Sequence, residues 1–241
     1  MSSKSNNQGR AYEYICLHSL QDAISAIRKS QIIHNSSYEA AEHAWNTLSV
    51  AEKALYTLSA KSTIDTIFAL EPNIVEEDND TLNLYIQSDE HGKKADVRDI
   101  IIERKDIVWE IGLSIKHNHM AVKHSRLAKT LDFGKKWYGI NCSEEYWNAV
   151  KPTFDFLETE KAKGTYFRDL NSKEDDVYVP LLEAFMQEVK KQVEDNADTP
   201  RKLVEYLLSK YDFYKVISID NKRITTIQSF NMYGSLNQSS K

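Results

Sequence analysis

The fold is decided by the stretch Asp96-Val-Arg-Asp-Ile-Ile-Ile-Glu-Arg-Lys-Asp-Ile-Val-Trp-Glu-Ile-Gly-Leu-Ser-Ile-Lys116. Two apolar runs separated by a charged turn are typical of a β-hairpin. The second arm alternates strictly, with Trp109, Ile111, Leu113 and Ile115 on one face and Glu110, Gly112, Ser114 and Lys116 on the other. The pattern predicts one face that packs and one face that presents an acid together with a base.

A basic segment follows this hairpin. Between Ser114 and Lys136 the single acid Asp132 stands against six basic residues, in a chain whose formal net charge is −5. Those six are Lys116, Lys123, Arg126, Lys129, Lys135 and Lys136. A local excess of positive charge in an acidic chain indicates one anionic partner, for which a polyphosphate backbone fits best.

Length and composition predict a single domain over residues 1–241, since 241 residues with 41% hydrophobic content are enough to bury a full core. Within it we expect a helical part (1–75), the hairpin with its basic segment (80–135), and helices with a late hairpin (140–241). Cys16 and Cys142 have no metal-ligand spacing, and the polar start of the chain does not look like a signal peptide. These features suit a soluble, cytoplasmic protein.

Helix signals lie before and after the central hairpin. Capping boxes at Ser36/Glu39 and Ser49/Glu52 predict helices near 37–47 and 50–70, the second ending before Pro72. Further predicted elements are helices near 11–29, 120–130, 180–193 and 201–210, one beginning at Ser143, a strand near 82–86, and a hairpin over 213–219 and 223–230. The order predicts a mixed α/β fold with a small central sheet flanked by helices.

The hairpin carries the groups that phosphodiester hydrolysis needs: acidic oxygens to hold divalent cations and a positive group nearby. Asp96 or Asp99, together with Glu110 and Lys116, supply such a set. If the turn centres on Lys105, Asp96 faces Ser114, whereas a register shifted by one residue places Asp99 beside Glu110–Gly112. The sequence leaves this choice open. Glu42, on an early helix, is a further candidate metal ligand.

The segment after Lys116 offers candidate DNA contacts. His117, Asn118, His119 and His124 lack partners at zinc-ligand spacing, so we interpret them as contacts to phosphates or bases, with a structural role as the alternative ahead of metal binding. Lys123, Arg126 and Lys129 fall three residues apart, which predicts one basic face of a helix that follows a row of phosphates. A solvated helix face is the alternative interpretation.

Several blocks of the chain resemble the HaeIII-like family of type II restriction endonucleases. The most specific is Trp109-Glu-Ile-Gly-Leu-Ser-Ile-Lys-His-Asn-His119. Others are Asn7-Gln-Gly-Arg-Ala-Tyr-Glu-Tyr14, Asn35-Ser-Ser-Tyr-Glu-Ala40, Ala121-Val-Lys-His-Ser-Arg-Leu127, Val177-Tyr-Val-Pro-Leu-Leu182, Tyr211-Asp-Phe-Tyr-Lys215 and Phe230-Asn-Met-Tyr-Gly234. The resemblance covers nearly the whole chain.

The resemblance implies cleavage of double-stranded DNA at GGCC with blunt ends, Mg²⁺ as cofactor, and a cognate methyltransferase that protects the same site. It also implies a PD-(D/E)xK nuclease core, in which Asp96 or Asp99 fills the first position and Lys116 the last. Ser114 stands where that pattern has an acid, so Glu110, ahead of Glu42, is the candidate for the missing ligand. A palindromic target predicts a homodimer.

Two other functions fit the residues. One is a sequence-specific DNA-binding protein without catalysis, and the other is a protein-interaction domain whose basic strip meets an acidic partner. The polar tail Asn237–Lys241 stands where the family continues with β-rich sequence, which suggests C-terminal truncation.

Overall fold

The predicted hairpin forms the centre of a six-stranded mixed sheet in the computed structural model, which describes residues 2–88, 96–122 and 125–237. The strands are β1 (Ser30–Ile32), β2 (Leu82–Ile86), β3 (Ile100–Arg104), β4 (Trp109–His117), β5 (Phe213–Ile219) and β6 (Ile224–Phe230), in that spatial order. The pairs β1/β2 and β4/β5 are parallel and the others antiparallel. The predicted mixed α/β class is confirmed.

The described helices are α1 (Ser2–Ser25), α2 (Ser36–Asn46), α3 (Val50–Lys61), α4 (Ile64–Leu70), α5 (Phe133–Trp137), α6 (Glu144–Ala162), α7 (Val179–Asp195) and α8 (Thr199–Leu207). The Ser49/Glu52 capping box is confirmed, with both reciprocal hydrogen bonds present. The Ser36/Glu39 box is wrong, because Asn35 caps α2 by accepting a hydrogen bond from the amide of Tyr38 at 2.9 Å. The helix predicted over 50–70 is two helices, α3 and α4.

The register of the hairpin differs from both predicted alternatives. Ile100 lies opposite Leu113, and Arg104 lies opposite Trp109 across a four-residue turn. The turn is a 3₁₀ segment followed by Val108 in the left-handed conformation (φ 54°). Left-handed backbone is unusual for a β-branched residue, so the local sequence does not predict this turn. Asp99 is therefore the aspartate that reaches Ser114 and its neighbours.

The face of β4 predicted to be exposed is covered over most of its length. Gly112 and Ser114 are buried, as are their apolar neighbours Ile111, Leu113 and Ile115, and only the two ends of the strand reach solvent. A strand with neighbours on both sides and helices over the sheet is buried on both faces. The chemistry expected along the whole face is thus restricted to the ends.

The chain forms two compact units, residues 1–123 with 208–241, and residues 124–207. In the first unit, α1 packs its Leu17, Leu20 and Ile24 into the core that contains the buried face of the hairpin. The second unit has a core of its own, centred on Phe133, Trp137 and other side chains from α5, α6 and α7. Among the helices of the described ranges, none has the length and hydropathy of a membrane-spanning segment.

The basic segment is not a helix in its described parts, residues 120–122 and 125–130, so the predicted helix there is wrong. Ala128 instead forms an isolated bridge with Leu131. Of residues 125–130, Leu127 packs against the second core, whereas Arg126 is exposed. A short polar segment with so little apolar contact does not offset the cost of nucleating a helix.

Candidate active site

One end of the hairpin brings Asp99 and Lys116 together. Asp99 immediately precedes β3, and its amide donates to the carbonyl of Leu113 at 2.8 Å, which fixes its position beside β4. Its Oδ2 accepts hydrogen bonds from Lys116 Nζ at 2.9 Å and from the amide of Ile115 at 2.6 Å. The carboxylate and the amine are both partly exposed, at 24% and 22%. Hydrogen bonds within the protein thus hold the pair in place, while both side chains remain accessible to solvent.

The charge on Lys116 is stabilised by this arrangement. Burial alone would lower the pKa of the Lys116 amine, but Asp99 and, more weakly, Glu13 outweigh burial and raise it. Lys116 therefore remains an ammonium group at neutral pH. A permanent positive charge suits binding of a phosphate oxygen or orientation of a water molecule.

A polar cavity of about 260 Å³ lies beside the pair. The residues that line it are Asn6, Arg10 and Glu13 from α1, Ser37 from α2, Ile86 and Gln87 at the end of β2, and Asp99 and Lys116. The first helix thus brings a carboxylate and a guanidinium to the hairpin, three residues apart and on one helical face. The sequence pattern missed Arg10 and Glu13, although both lie within the block Asn7–Tyr14.

Asp96 and Glu110 belong to a different cluster, organised by Arg98. The Arg98 guanidinium donates to both oxygens of Asp96, at 2.9 and 2.8 Å, and to Glu110 Oε1 at 2.8 Å. It also lies over the ring of Tyr211, with its central carbon 4.0 Å from the ring centroid. The side chains of Arg98 and Asp96 are almost fully buried, at 6% and 2% exposure. We call these four residues the Arg98 cluster.

Gly112 gives Arg98 the space it needs. A Cβ at position 112 would lie 2.0 Å from Arg98 Cδ and 2.8 Å from its Cβ. The guanidinium therefore reaches Glu110 only because β4 has no side chain where Arg98 crosses it.

Glu110 and Lys116 lie too far apart to share one ion. They share a face of β4 but are six residues apart, and at roughly 3.3 Å per residue this separates them by about 20 Å. The structure therefore does not bring Glu110 to the Asp99–Lys116 pair, nor Asp96, which is held by Arg98. Alternation identifies residues on one face, but only register identifies neighbours across strands.

Glu42 also lies outside the cavity beside Lys116. Its charge acts on Tyr14 and His18 instead. The pKa of the Tyr14 hydroxyl is raised mainly by burial, and further by Tyr38 and Glu42. The early helix that contributes an acid to the site is therefore α1 rather than α2.

His117 and Asn118 are held by the protein rather than presented to a ligand. His117 Nε2 lies 2.7 Å from Asp220 Oδ2, its Nδ1 lies 3.3 Å from the Tyr56 hydroxyl, and its side chain is 5% exposed. Asn118 adopts left-handed backbone (φ 53°) and exchanges hydrogen bonds with Asp220. These two residues tie the end of β4 to the turn between β5 and β6.

The remaining predicted DNA contacts are scattered or lie outside the described residues. Lys129 Nζ donates to Glu158 at 2.7 Å, so its charge is compensated within the second unit. Arg126 is exposed and His119 is partly buried. Lys123 and His124 fall outside the described residues. The structure thus shows no continuous basic helical face in the part of 120–130 that it describes.

The acids at the cavity fit Mg²⁺ better than a softer metal. Across the described ranges, no three His, Cys, Asp or Glu side chains are close enough together to hold a metal ion by themselves. Mg²⁺ does not need such a cage, because it is commonly bound through one or two carboxylates and completes its shell with water and phosphate oxygens. Asp99 and Glu13, with amide and hydroxyl oxygens around them, match that requirement.

Comparison with known proteins gives one consistent result. Residues 9–241 match the family model described as HaeIII restriction endonuclease. The chain is 48% identical over 242 residues to the type II restriction enzyme HaeIII of Haemophilus aegyptius, and the alignment covers 100% of this chain and 76% of that relative. No solved structure matches the chain.

Proposed function

The chain belongs to the HaeIII restriction endonuclease family and is a type II restriction endonuclease, and we propose that it hydrolyses double-stranded DNA at GGCC, between the central G and C, with Mg²⁺. The observation that carries this proposal is that the family match spans both units while its most specific block, Trp109–His119, delivers Lys116 to a polar cavity beside Asp99. The PD-(D/E)xK resemblance is supported by an aspartate immediately before β3 that pairs with a lysine on the neighbouring β4.

In the proposed reaction, a water molecule loses a proton to solvent and adds to the phosphorus atom of the scissile phosphodiester. One P–O ester bond breaks, and its oxygen takes up a proton and leaves as a hydroxyl group. Asp99 and Glu13 would hold Mg²⁺, which supplies charge stabilisation and acidifies bound water. Lys116, kept protonated by Asp99, stabilises the negative charge that grows on a phosphate oxygen or orients the attacking water. Arg10, on the same cavity wall, neutralises a second phosphate oxygen.

Glu13 takes the position for which the sequence suggested Glu110 or Glu42. Its carboxylate lines the same cavity as Asp99, and its charge acts on Lys116. Two carboxylates with an ammonium group beside them form the set that a metal-dependent nuclease needs. The serine at position 114 is then no obstacle, because the second acid comes from α1.

The partners, the cellular location and the oligomeric state that we propose are those expected for the family. We propose that a cognate methyltransferase protects the same sequence, that the enzyme acts in the cytoplasm, and that two copies form a homodimer on their palindromic site. His119, Lys123, His124 and Arg126 stay proposed DNA contacts. We propose no direct contact for His117, Asn118 or Lys129, since carboxylates of the protein already bind them.

The proposal is tested by digesting a plasmid of known sequence with Mg²⁺ and mapping the ends of the fragments. We expect blunt ends at every unmethylated GGCC and none after treatment with a GGCC methyltransferase. A plasmid that binds the protein but stays supercoiled, or ends at another sequence, would overturn the proposal. A chelator should stop the digestion, and added Mg²⁺ should restore it.

A further inference from the structure

Helix α7 has a second apolar face that the second unit does not cover. Its inward face packs Leu181, Ala184 and Phe185 into the core of that unit. Beside this face lie five large apolar side chains that are between 37% and 56% exposed. They are Tyr178, which immediately precedes the helix, and Val179, Leu182, Met186 and Val193 on it, and together we call them the α7 stripe. Isolated exposed apolar residues are ordinary, but a contiguous stripe along one helix marks an interaction surface.

The positions in the α7 stripe have the spacing of a helix-packing surface. Tyr178, Leu182 and Met186 recur every fourth residue, and Val179, Met186 and Val193 recur every seventh. Residues at these intervals lie along one side of a helix and form the ridges that a second helix packs against. The stripe therefore fits a helical partner better than an extended one.

Two charged residues border the stripe on its outer flank. Glu183 and Lys190 are seven residues apart, so they lie on the same side of α7, one before and one after Met186. Both are exposed, and within the described ranges neither makes an ion pair. A partner for this face should therefore offer a positive charge at one end of the stripe and a negative charge at the other.

We propose that the α7 stripe is the dimer interface of this enzyme and that its occupant is α7 of a second copy, packed antiparallel. A two-fold axis near Met186 places Glu183 of each copy opposite Lys190 of the other, because like flanks face each other in an antiparallel helix pair. The stripe of each copy then covers the stripe of the other, and Glu183 and Lys190 form ion pairs between the copies. A parallel arrangement would leave the charges unpaired.

This inference rests on the proposed function in one respect, since GGCC is identical on both strands and favours a two-fold symmetric enzyme. One helix pair buries less than the roughly 800 Å² per partner of a standard interface. We therefore expect a dimer that dissociates in the micromolar range rather than an obligate one.

Sedimentation velocity of the DNA-free protein between about 1 and 100 μM tests the proposal. We expect a concentration-dependent monomer–dimer equilibrium for the wild type and monomers for the double variant Leu182→Glu/Met186→Glu. Leu58→Glu changes a leucine on α3 that is even more exposed than Leu182 (69% against 56%), so it is the control and should dimerise like the wild type. A wild type that stays monomeric, or a double variant that dimerises normally, would overturn the proposal.

Charge reversal provides a second test that leaves the apolar surface intact. Glu183→Lys alone and Lys190→Glu alone each turn both symmetric ion pairs into repulsions, and should weaken dimerisation about tenfold. The combined variant Glu183→Lys/Lys190→Glu restores both pairs and should dimerise like the wild type. Failure of the combination to recover would contradict the antiparallel arrangement, even if the stripe variants fold poorly.

Both measurements are made without DNA, so they are independent of cleavage. An enzyme that cuts GGCC but stays monomeric retains the proposed function and loses this interface. A protein that dimerises through the α7 stripe but leaves DNA intact retains this interface and loses the proposed function.

Discussion

Two carboxylate–cation groups lie on the same hairpin, and their environments differ in the way that separates a structural ion pair from a reactive one. In the Arg98 cluster, a buried guanidinium binds both oxygens of Asp96 and is covered by Tyr211. In the Asp99–Lys116 pair, the described hydrogen bonds to the Asp99 carboxylate all go to Oδ2, and both groups border a polar cavity.

This difference in hydrogen bonding and exposure indicates which end of the hairpin can bind a metal ion and catalyse hydrolysis. A carboxylate that is bidentate to a buried arginine has little capacity left for a metal ion, and moving it would leave a buried charge unpaired. A carboxylate bound through one oxygen at the edge of a cavity can accept a metal ion without losing its position. The Arg98 cluster should therefore carry stability, and the Asp99–Lys116 pair should carry catalysis.

The largest expected effect is on the catalytic side. Lys116→Ala removes the ammonium group beside the scissile phosphate and should lower the cleavage rate by about 10³-fold. Single-turnover digestion of a plasmid measures the rate, and binding of a GGCC duplex without metal should change far less. Normal cleavage by this variant would remove Lys116 from the mechanism.

The next effect is on the structural side. Arg98→Met leaves Asp96 buried without a counter-charge and should lower the free energy of unfolding by about 3 kcal/mol. Urea denaturation measures this change. Adding Asp96→Asn to Arg98→Met should recover part of the loss, because the uncompensated charge is then gone. A single variant as stable as the wild type would show that the Arg98 cluster does not hold the hairpin.

Glu13→Gln sharpens the catalytic half of the comparison. It replaces a proposed metal ligand by an isosteric amide and should slow cleavage by about 10²-fold while raising the Mg²⁺ concentration needed for half-maximal rate. Glu42→Gln, on α2 and outside the cavity, is its matched control and should behave like the wild type. If both variants cleave alike, α1 does not supply the acid.

Gly112→Ala sharpens the structural half. The added methyl group collides with the Arg98 side chain close to its own backbone, so Arg98 cannot avoid it by moving only its tip. Overpacking of this kind should cost about 1–3 kcal/mol, measured by thermal unfolding. No destabilisation would mean that Arg98 has another path to Glu110.

The sequence predicted the elements of this site better than their partners. Alternation along Trp109–His117 correctly indicated a strand, and the late hairpin at 213–230 was recognised from its composition. The register depends on a turn in which Val108 has left-handed backbone, and no sequence pattern predicts that turn. Glu13 was missed because its helix is remote from the hairpin in sequence, and only tertiary packing brings the two together.

The acidic turn Glu76–Asp80 shows the same limit. A run of acids in a turn is ordinarily solvated, yet the buried Arg104 binds Glu76, Asp78 and Asp80, and Arg28 also pairs with Asp80. Arg104, followed by Arg28, holds the pKa of Asp80 below its usual range despite burial. Charged residues far apart in sequence form this network, so a local pattern could not show it.

The most direct test compares two isosteric neutralisations on the hairpin, Asp99→Asn and Glu110→Gln, by single-turnover cleavage of a GGCC plasmid at saturating Mg²⁺. The assignment of catalysis to the cavity end predicts that Asp99→Asn loses at least about 10²-fold in rate while Glu110→Gln stays near the wild type. Loss of cleavage in Glu110→Gln with normal cleavage in Asp99→Asn would contradict it.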